Sequence, residues 1–279
     1  MNADTIYIIL PVHNRCQVTR RFLACLTSQT HQNYHVVLVD DGSTDGTSEM
    51  AQSTIQSLTV IKGEGKWWWA GSLQQGYKWL KKHTVSLSDI VLIMNDDTEF
   101  DEKFLDTGIA LLRQQSHTLL SPWLYSAETG ELLNSGLIVD WKRLRFESTT
   151  ATEKVNCMST RSMFMTIGDL FLARGFRPWL LPHYLSDYEF AIRARRKGMK
   201  LCYDGRLKVL VHEQEPDRSH DRHIAPSDDR ARMFSKKSPR NPLYWTIFIA
   251  LSCPWKWKAL NWLRVWKGFF FATDKPARQ

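Results

Sequence analysis

Residues 92–99 read Leu92-Ile93-Met94-Asn95-Asp96-Asp97-Thr98-Glu99, an apolar run that ends in two adjacent acidic residues. This pattern is typical of a buried strand whose carboxyl end delivers carboxylates into a crevice. In open α/β sheets, ligands bind in the crevice beyond the strand ends. Neighbouring carboxylates repel each other unless a cation lies near them, and a divalent ion that carries substrate phosphates meets that need. The stretch therefore predicts an α/β sheet with a metal–diphosphate site.

Apolar runs alternate with helical patterns along the first hundred residues, which predicts a mostly parallel sheet with helices on both faces. We expect strands at residues 6–10, 36–39, 58–62 and 90–94, and helices at residues 14–26, 47–57 and 71–82. Beyond residue 100, the pattern predicts a helix at 104–115, short strands across 118–165, a helix at 187–197 and a strand at 208–212. Residues 213–241 are rich in charge and proline and predict a mobile loop or linker.

The composition suits a single large domain or a domain with a tail, since the chain has 279 residues of which 43% are hydrophobic. Its five cysteines form no C-x-x-C or Cys/His metal pattern, which favours reduced thiols in a cytosolic compartment. The N-terminus lacks the basic region of a signal peptide, and no stretch reaches the roughly 18 apolar residues of a spanning helix. The sequence therefore predicts a cytoplasmic protein.

The net charge of +8 is concentrated in the last fifty residues, because residues 230–279 hold eleven Lys or Arg residues and one acid. Lys256, Arg264 and Lys267 share one side of a helical pattern. The other side carries Trp255, Ala259, Trp262, Trp266 and Phe269. This basic amphipathic helix favours binding in the plane of an anionic membrane, here the inner face of the cell membrane. Packing on its own domain or on another subunit is the alternative, so a homo-oligomer stays open.

Two short segments with polar side chains follow the first two predicted strands, where they should line one crevice. They are Pro11-Val12-His13-Asn14-Arg15 and Asp40-Asp41-Gly42-Ser43-Thr44-Asp45-Gly46. An aspartate at such a position can accept the imide N–H of a pyrimidine or a ribose hydroxyl. Turn and helix-cap chemistry is the alternative for Asp40 and Asp41, because Asp-Gly and Ser-Thr-Asp are common in turns. Asn95-Asp96-Asp97, at a third strand end, favours the binding interpretation.

The stretch after the third strand reads Gly63-Glu64-Gly65-Lys66-Trp67-Trp68-Trp69-Ala70-Gly71-Ser72 and leads into a helix, whose N-terminus favours anions. We expect at least one of its tryptophans to face the crevice and stack on a sugar or base, with capping of the sheet edge as the alternative. Asp187 stands at a helix start, where it is either a general base or an N-cap. His212 ends an apolar strand and is either structural or a metal ligand.

Taken in order, these segments resemble the inverting glycosyltransferases of family 2, which have the GT-A fold, and they look closest to the bacterial rhamnosyltransferase-like members. The resemblance covers about residues 5–215. The segment 11–14 matches the family's first nucleotide-contact segment, and 40–46 matches the segment whose acidic residue meets the nucleotide base. Asn95-Asp96-Asp97 stands in place of the D-x-D-type metal motif. Its Asn in first position makes Asp97 the main metal contact and Asp96 a helper.

Ser186-Asp187 stands in place of the family's Glu-Asp pair, so the resemblance implies Asp187 as the base, and Ser186 replaces the supporting Glu. The stretch 68–72 resembles the Trp-Trp-small-Gly stretch of the rhamnosyltransferase-like branch. The implied contacts to the nucleotide-sugar are Pro11, Val12, His13, Asn14, Asp40, Asp41, Lys66, Trp68, Trp69, Gly71, Asn95 and Asp96. The implied metal contacts are Asp97, Asp96 and His212.

The resemblance implies metal-dependent transfer of a sugar from a UDP- or dTDP-sugar, rhamnose being one candidate, to a glycan or lipid-linked acceptor in surface polysaccharide synthesis. Mg²⁺ or Mn²⁺ at Asp97 would stabilise the leaving diphosphate, and Asp187 would accept the proton of the acceptor hydroxyl. A sugar-nucleotidyltransferase and a non-catalytic nucleic-acid-binding protein that uses the basic tail are the alternatives. Residues 1–229 hold 26 basic and 28 acidic residues, and this near-neutrality argues against nucleic acid as a partner.

The expected organisation is a GT-A domain over residues 1–241 and a basic amphipathic helical tail over residues 242–279. Within the domain, residues 1–100 form the nucleotide-sugar-binding half and residues 101–215 form the acceptor and catalytic half. Residues 216–241 are expected to be a mobile loop.

Overall fold

The computed structural model of the protein describes residues 4–213, 233–236 and 238–270. Its strands are β1 Ile6–Val12, β2 Tyr34–Asp40, β3 Leu58–Lys62, β4 Ile90–Ile93, β5 Thr98–Glu99, β6 Thr118–Ser126, β7 Leu132–Asn134, β8 Leu137–Asp140, β9 Arg145–Ser148, β10 Met163–Thr166 and β11 Lys200–Val211. Its α-helices are α1 Cys16–Thr27, α2 Thr47–Thr54, α3 Trp68–Lys82, α4 Phe104–Arg113, α5 Ile167–Ala173, α6 Ser186–Arg196, α7 Pro242–Ser252 and α8 Trp255–Phe270.

Nine strands form one sheet in the order β3-β2-β1-β4-β10-β6-β11-β5, with β7 paired to β6. The strands β3, β2, β1 and β4 are parallel, as expected from the strand–helix alternation. The strand β10 runs antiparallel to both β4 and β6, and it joins this parallel half to the second half of the sheet. The carboxyl ends of β1, β2, β3 and β4 therefore meet at one edge, as the sequence predicts. The mixed α/β fold of GT-A type is confirmed.

Alternating side chains of the central strands separate two cores, one on each face of the sheet. In β1, Ile8 and Leu10 belong to the core beneath α1, α2 and α4, whereas Ile9 belongs to the core beneath α3, α5 and α6. This alternation follows from the two-residue period of a strand. Since both faces are covered, the strands read as continuous apolar runs.

Two elements of the second half differ from the sequence-based expectation. The strand β11 begins at Lys200, eight residues before the expected start. The sequence pattern missed its first half because that half is more polar and is separated from the second half by a register shift between Asp204 and Lys208. The helix α5 was not expected. Its N-cap is Thr166, whose hydroxyl oxygen accepts from the backbone N–H of Asp169. The Thr-x-x-Asp spacing after an apolar strand is a helix-start signal that the sequence does contain.

The C-terminal helices pack on the domain rather than forming a separate tail. The α7 side chains of Phe248 and Ile249 are fully buried, and Phe248 joins a third core with residues of β8 and α6. The indole N–H groups of Trp262 and Trp266 on α8 donate to the backbone and the hydroxyl of Thr246 on α7. Part of the predicted apolar face of α8 is therefore turned toward its own domain, which was the alternative left open by the sequence.

Residues 214–232 and 237, which include most of the predicted mobile loop, and residues 271–279 lie outside the described residues. Asn241 is described and caps α7, because its side-chain oxygen accepts from the backbone N–H of Leu243 at 3.0 Å. None of the described helices is long and apolar enough to cross a membrane.

Candidate active site

The loop after β2 is attached to the loop after β3 through the carboxylate of Asp41. One oxygen of this carboxylate accepts the backbone N–H groups of Gly65 and Lys66 at 2.9 and 3.1 Å. The other accepts those of Trp67 and Trp68 at 2.8 and 3.1 Å. The Asp41 side chain is buried. These amides form the N-terminal end of α3, so the anion at this helix start is a carboxylate of the chain itself.

The carboxylate of Asp40 accepts hydrogen bonds within its own turn. It accepts the backbone N–H of Ser43 at 2.7 Å and the hydroxyl of Ser48, which lies in the first turn of α2. These contacts agree with the alternative that the sequence left open for Asp40, in which its carboxylate stabilises a turn. Since both oxygens are occupied and the side chain is buried, Asp40 shapes the crevice wall in this structure.

The loops after β1 and β2 are joined by Asn14, whose φ of 50° lies in the left-handed region. Its backbone N–H donates to the hydroxyl of Ser43 at 2.9 Å, and its side-chain oxygen accepts from the backbone N–H of Thr44 at 2.8 Å. The His13 ring hydrogen-bonds the backbone carbonyl of Asp41 at 2.8 Å and is otherwise exposed. Asn14 thus acts as a brace, and its side-chain nitrogen also lies 3.4 Å from Nε2 of the exposed His13 ring.

Four other residues predicted to contact the donor have mainly structural positions. Pro11 and Val12 are buried within β1, and the carbonyl of Val12 accepts the backbone N–H of Asp41 at 3.0 Å. The ammonium of Lys66 pairs with Glu64 at 3.0 Å, and its side chain is 78% exposed. Gly71 is buried in α3, where an added Cβ would lie 3.0 Å from the Cβ of Trp67. Gly71 therefore permits the close packing of Trp67 on α3.

The acidic residues after β4 have different surroundings. Both oxygens of Asp96 are engaged, one with the Arg15 guanidinium at 3.1 Å and one with the Thr19 hydroxyl at 2.9 Å. Burial raises the pKa of Asp96 to about 6, against the lowering effect of Arg15. This carboxylate attaches the loop after β4 to Arg15 and to α1, and its role as a helper metal ligand stays a prediction.

Two oxygens in the same segment remain available to a cation. The Asp97 Oδ1 atom and the Asn95 Oδ1 atom are buried and have no hydrogen-bond partner among the described residues. The other oxygen of Asp97 lies 3.5 Å from the guanidinium of Arg161. A magnesium or manganese ion is usually held by one or two protein oxygens together with substrate phosphates and water. Asp97 and Asn95 fit that role, although no set of three His, Cys, Asp or Glu side chains within the described ranges forms a complete metal site.

His212 does not join this pair of oxygens. Its Nε2 lies 2.7 Å from a carboxylate oxygen of Glu99, and its Nδ1 lies 3.9 Å from Glu128. Its backbone N–H donates to the carbonyl of Asp97 at 3.0 Å. In this structure His212 attaches the end of β11 to the segment that carries Asp97, and its metal role stays a prediction.

Asp187 lies in the first turn of α6 and is half-buried. It accepts the backbone N–H of Tyr188 at 2.9 Å and also that of Thr160. Burial raises its pKa to about 6, and these hydrogen bonds and the nearby Arg161 act in the opposite direction. A carboxylate with a raised pKa is a better proton acceptor than one with an ordinary pKa, which suits a general base.

Trp69 supports Asp187 through Thr160. Its indole N–H donates to the Thr160 hydroxyl at 3.1 Å, and the backbone N–H of Thr160 donates to the Asp187 carboxylate. Trp68, with a φ of 58°, directs its ring toward His183, and the two ring centroids are 6.2 Å apart. The three consecutive tryptophans thus point in different directions, and Trp69 reaches the segment that holds the predicted base.

Arg161 is the functional residue that the sequence reasoning missed. It lies beside Asp97 and is close enough to Asp187 to lower its pKa, so it brings the predicted metal site and the predicted base together. Arg161 belongs to a polar run, Ser159-Thr160-Arg161-Ser162, directly before the apolar strand β10. That polar-to-apolar boundary was the available signal, but the partners are 64 and 26 positions away in the chain. Only the fold shows them as neighbours.

The sheet order and the helices on both of its faces define a mixed α/β protein of GT-A type. The family model of glycosyl transferase family 2 matches residues 7–173, which is more than half of the chain. The chain belongs to this family.

Relatives and solved structures agree with this assignment. An uncharacterized glycosyltransferase of Haemophilus influenzae is 25% identical over 195 residues, which cover 67% of this chain and 60% of the relative. One from Rickettsia conorii is 38% identical over 122 residues, 42% of this chain and 20% of the relative. The chain thus matches between a fifth and three fifths of the length of these two relatives.

Two solved structures share the fold at low sequence identity. A mannosyltransferase of Pyrobaculum calidifontis in complex with GDP-mannose and Mn²⁺ has a TM-score of 0.59 and 14% identity, covering 96% of this chain and 70% of that one. Residues 1–349 of TarS from S. aureus, in complex with UDP-GlcNAc, have a TM-score of 0.61 and 15% identity, covering 96% of this chain and 73% of that one.

The Asp41 contacts predict a large loss of stability in Asp41→Asn. The amide NH₂ of Asn would face two backbone N–H donors, and leaving buried donors unpaired costs about 1–3 kcal/mol each. We expect the free energy of unfolding, measured by urea denaturation, to fall by about 2 kcal/mol or more. The exposed Glu64→Gln in the same loop is the control, with a change within about 0.5 kcal/mol. Equal stability of the two variants would contradict the proposed role of Asp41.

Proposed function

We propose that this protein is a metal-dependent inverting glycosyltransferase that uses a nucleoside-diphosphate sugar. The observation that carries the proposal is the position of Arg161, which contacts one oxygen of Asp97, leaves the other available, and lies near the carboxylate of Asp187, whose pKa is raised. A cation site and a general base at one crevice are the two groups that such a transfer needs. The mannosyltransferase and TarS structures, which hold GDP-mannose with Mn²⁺ and UDP-GlcNAc, support a donor of this class.

Asp97 and Asn95 would hold Mg²⁺ or Mn²⁺, which when bound supplies positive charge to the leaving diphosphate. Arg161 adds a second positive group on the same side of the crevice. Its guanidinium is a planar donor that matches phosphate oxygens, and its present partner is a single carboxylate oxygen at 3.5 Å. Arg161 therefore orients the diphosphate beside Asp97.

Asp187 removes the proton from the acceptor hydroxyl. The backbone N–H groups of Tyr188 and Thr160 hold its carboxylate in position, and Trp69 in turn holds Thr160. The activated oxygen then attacks the anomeric carbon from the side opposite the diphosphate, which inverts the configuration. A single displacement of this kind needs one base and no carboxylate nucleophile.

The finer features of the proposal rest on the sequence resemblance. The nucleoside of the donor is uridine or thymidine. Residues 68–72 suggest a deoxy sugar such as rhamnose as the candidate sugar. The acceptor is a glycan or a lipid-linked glycan of surface polysaccharide synthesis. His13 and Trp68 stay proposed contacts to the nucleotide, on the strength of the same resemblance.

We further propose peripheral binding to the inner face of the cell membrane through α8, with a revised contact face. The predicted tryptophans at 262 and 266 hydrogen-bond to α7, whereas the outward side of α8 carries Leu260, Leu263 and Phe270. Their side chains are 39%, 70% and 64% exposed. Lys256 and Lys267 fall on the same side at helical spacing. Apolar side chains flanked by cations are typical of helices that lie in a membrane surface.

Replacement of Asp97 by alanine tests the metal site. UDP, dTDP and GDP are titrated with and without Mn²⁺ by calorimetry, and the tightest ligand is kept. We expect Asp97→Ala to weaken its Mn²⁺-dependent binding at least about tenfold, because the carboxylate that faces the cation is lost. Glu102→Ala, a nearby exposed acid, serves as the control and should bind like the wild type. Unchanged Mn²⁺-dependent affinity in Asp97→Ala would place the metal elsewhere.

The pKa of Asp187 predicts the pH dependence of turnover. A base with a pKa of about 6 is protonated below that pH and free above it, so kcat should rise with pH and level off above about 7. Asp187→Asn should lower kcat by about 10²–10⁴-fold and leave nucleoside-diphosphate affinity within about twofold. Steady-state kinetics of sugar transfer measure the first effect and calorimetry the second. A variant with wild-type kcat would show that another group is the base.

Membrane binding is tested by substitution rather than by truncation, because deletion of the tail would remove the buried Phe248. Leu260→Ser combined with Leu263→Ser should reduce co-sedimentation with phosphatidylglycerol vesicles several-fold, since the outward apolar side chains are lost. Leu87→Ser changes a leucine that is 61% exposed on another part of the surface, and it should bind vesicles normally. Equal binding by both variants would show that this face of α8 does not contact the lipid.

A further inference from the structure

A second cavity lies among the C-terminal helices, on the side of β8, β9 and α6. Its volume is about 420 Å³, and it is formed by the turn between β8 and β9, by the residues before α7, and by α7 and α8. We call it the arginine pocket, because Arg143, Arg240 and Arg264 line it together with the apolar side chains of Trp245, Val265 and Phe269. It lies apart from the Asp97 segment, and none of the predicted donor residues lines it.

The positive charge of the arginine pocket is nearly unopposed within the described part of the chain. Arg264 hydrogen-bonds neutral groups, the carbonyl of Lys142 and the side-chain oxygen of Asn261. Arg143 lies 3.9 Å from Asp140, a long contact, and its side chain is 67% exposed. Arg240 is exposed, and no ion pair of its guanidinium is found among the described residues. The pocket therefore offers three guanidiniums to an anion, and guanidinium geometry matches phosphate.

The walls of the arginine pocket exclude a simple phosphate ion as the best ligand. Trp245 is fixed by its indole N–H, which donates to the carbonyl of Pro239 at 2.8 Å, and it presents its ring to the pocket. Phe269 and Val265 add further apolar surface. Arg264 is flanked on its outer side by the exposed Leu260 and Leu263. A ligand that matches both the guanidiniums and the apolar walls of the pocket has a phosphate group attached to an apolar chain.

A continuous row of aromatic rings joins the arginine pocket to the proposed base. The ring of Trp245 lies 5.9 Å from that of Phe146, which lies 4.6 Å from the ring of Tyr188. The backbone N–H of Tyr188 donates to the Asp187 carboxylate. The pocket is thus two ring contacts away from Tyr188, the residue next to Asp187.

We propose that the arginine pocket binds the phosphate or diphosphate linker of a lipid-linked acceptor and holds the sugar at its head near Asp187. The inference rests on the proposed function, because it takes Asp187 as the base. The lipid chain leaves the pocket on the side of Leu260 and Leu263, and the guanidiniums of Arg143, Arg240 and Arg264 neutralise the linker. The acceptor is therefore recognised by its linker as well as by its sugar.

The test is calorimetric titration of the full chain with farnesyl diphosphate in EDTA, which keeps metal-dependent binding at Asp97 out of the measurement. We expect farnesyl diphosphate to bind, and farnesol and pyrophosphate to bind at least about tenfold more weakly, because each lacks one half of the ligand. Arg143→Glu combined with Arg240→Glu should weaken farnesyl diphosphate binding at least about tenfold. Both side chains are exposed, so this charge reversal leaves the fold intact.

Arg20→Glu, at an exposed position on α1, is the matched control and should bind within about twofold of the wild type. Equal binding by the double variant and the control, or equal binding of farnesol and farnesyl diphosphate, would overturn the proposal. Dihexanoyl phosphatidylglycerol that binds as tightly as farnesyl diphosphate would also overturn it, because the pocket would then serve a bilayer lipid.

The Mn²⁺-dependent binding of a nucleoside diphosphate separates this proposal from the proposed function. If the double variant keeps that binding and loses farnesyl diphosphate, both proposals are supported. If the wild type binds a nucleoside diphosphate but not farnesyl diphosphate, the arginine pocket alone is refuted. If the wild type binds farnesyl diphosphate through the arginines but no nucleoside diphosphate, the proposed function fails and the anionic-lipid site remains.

Discussion

The four hydrogen bonds to the carboxylate of Asp41 hold together the part of the molecule on which the site depends. They join the end of β2 to the start of α3 and satisfy backbone N–H groups that would otherwise be unpaired at a helix start. The carbonyl of Val12 accepts the backbone N–H of Asp41, so β1 is attached as well. Three strand ends are thereby fixed in one arrangement, and the crevice between them exists before any ligand arrives.

The acidic residues at these strand ends divide into those that hold the fold and those that remain available. Asp40, Asp41 and Asp96 each have both oxygens engaged by the chain, whereas Asp97 keeps one buried oxygen without a partner in the described ranges. A buried oxygen without a partner is costly, and it persists at a site where a ligand supplies the missing interaction. Asp40, Asp41 and Asp96 therefore hold the strand ends together, and Asp97 is the acidic residue with an oxygen left for a ligand.

The sequence predicted the sheet and the edge at which the site lies, because strand period, apolar runs and acidic strand ends are local signals. It did not separate the roles of Asp40, Asp41, Asp96 and Asp97, since each depends on a partner distant in the chain, such as Gly65, Arg15 or Arg161. The contact of His212 with Glu99 joins positions that are 113 residues apart, so the sequence alone does not reveal it. The sequence predicts Trp262 and Trp266 on the membrane-facing side of a helix, but their indole N–H groups donate to Thr246 on α7.

The segment from Gly65 to Trp69 couples the two halves of the proposed reaction. Its backbone N–H groups fix Asp41 on the nucleotide side, and the indole of Trp69 fixes Thr160, whose N–H holds Asp187 on the acceptor side. Burial at that end keeps the pKa of Asp187 near 6 despite Arg161, because withdrawal from water is the largest influence on it. A base must be both available to accept a proton and fixed in direction, and this segment supplies the direction. One short stretch of chain therefore contacts both the carboxylate of Asp41 and the segment that holds Asp187.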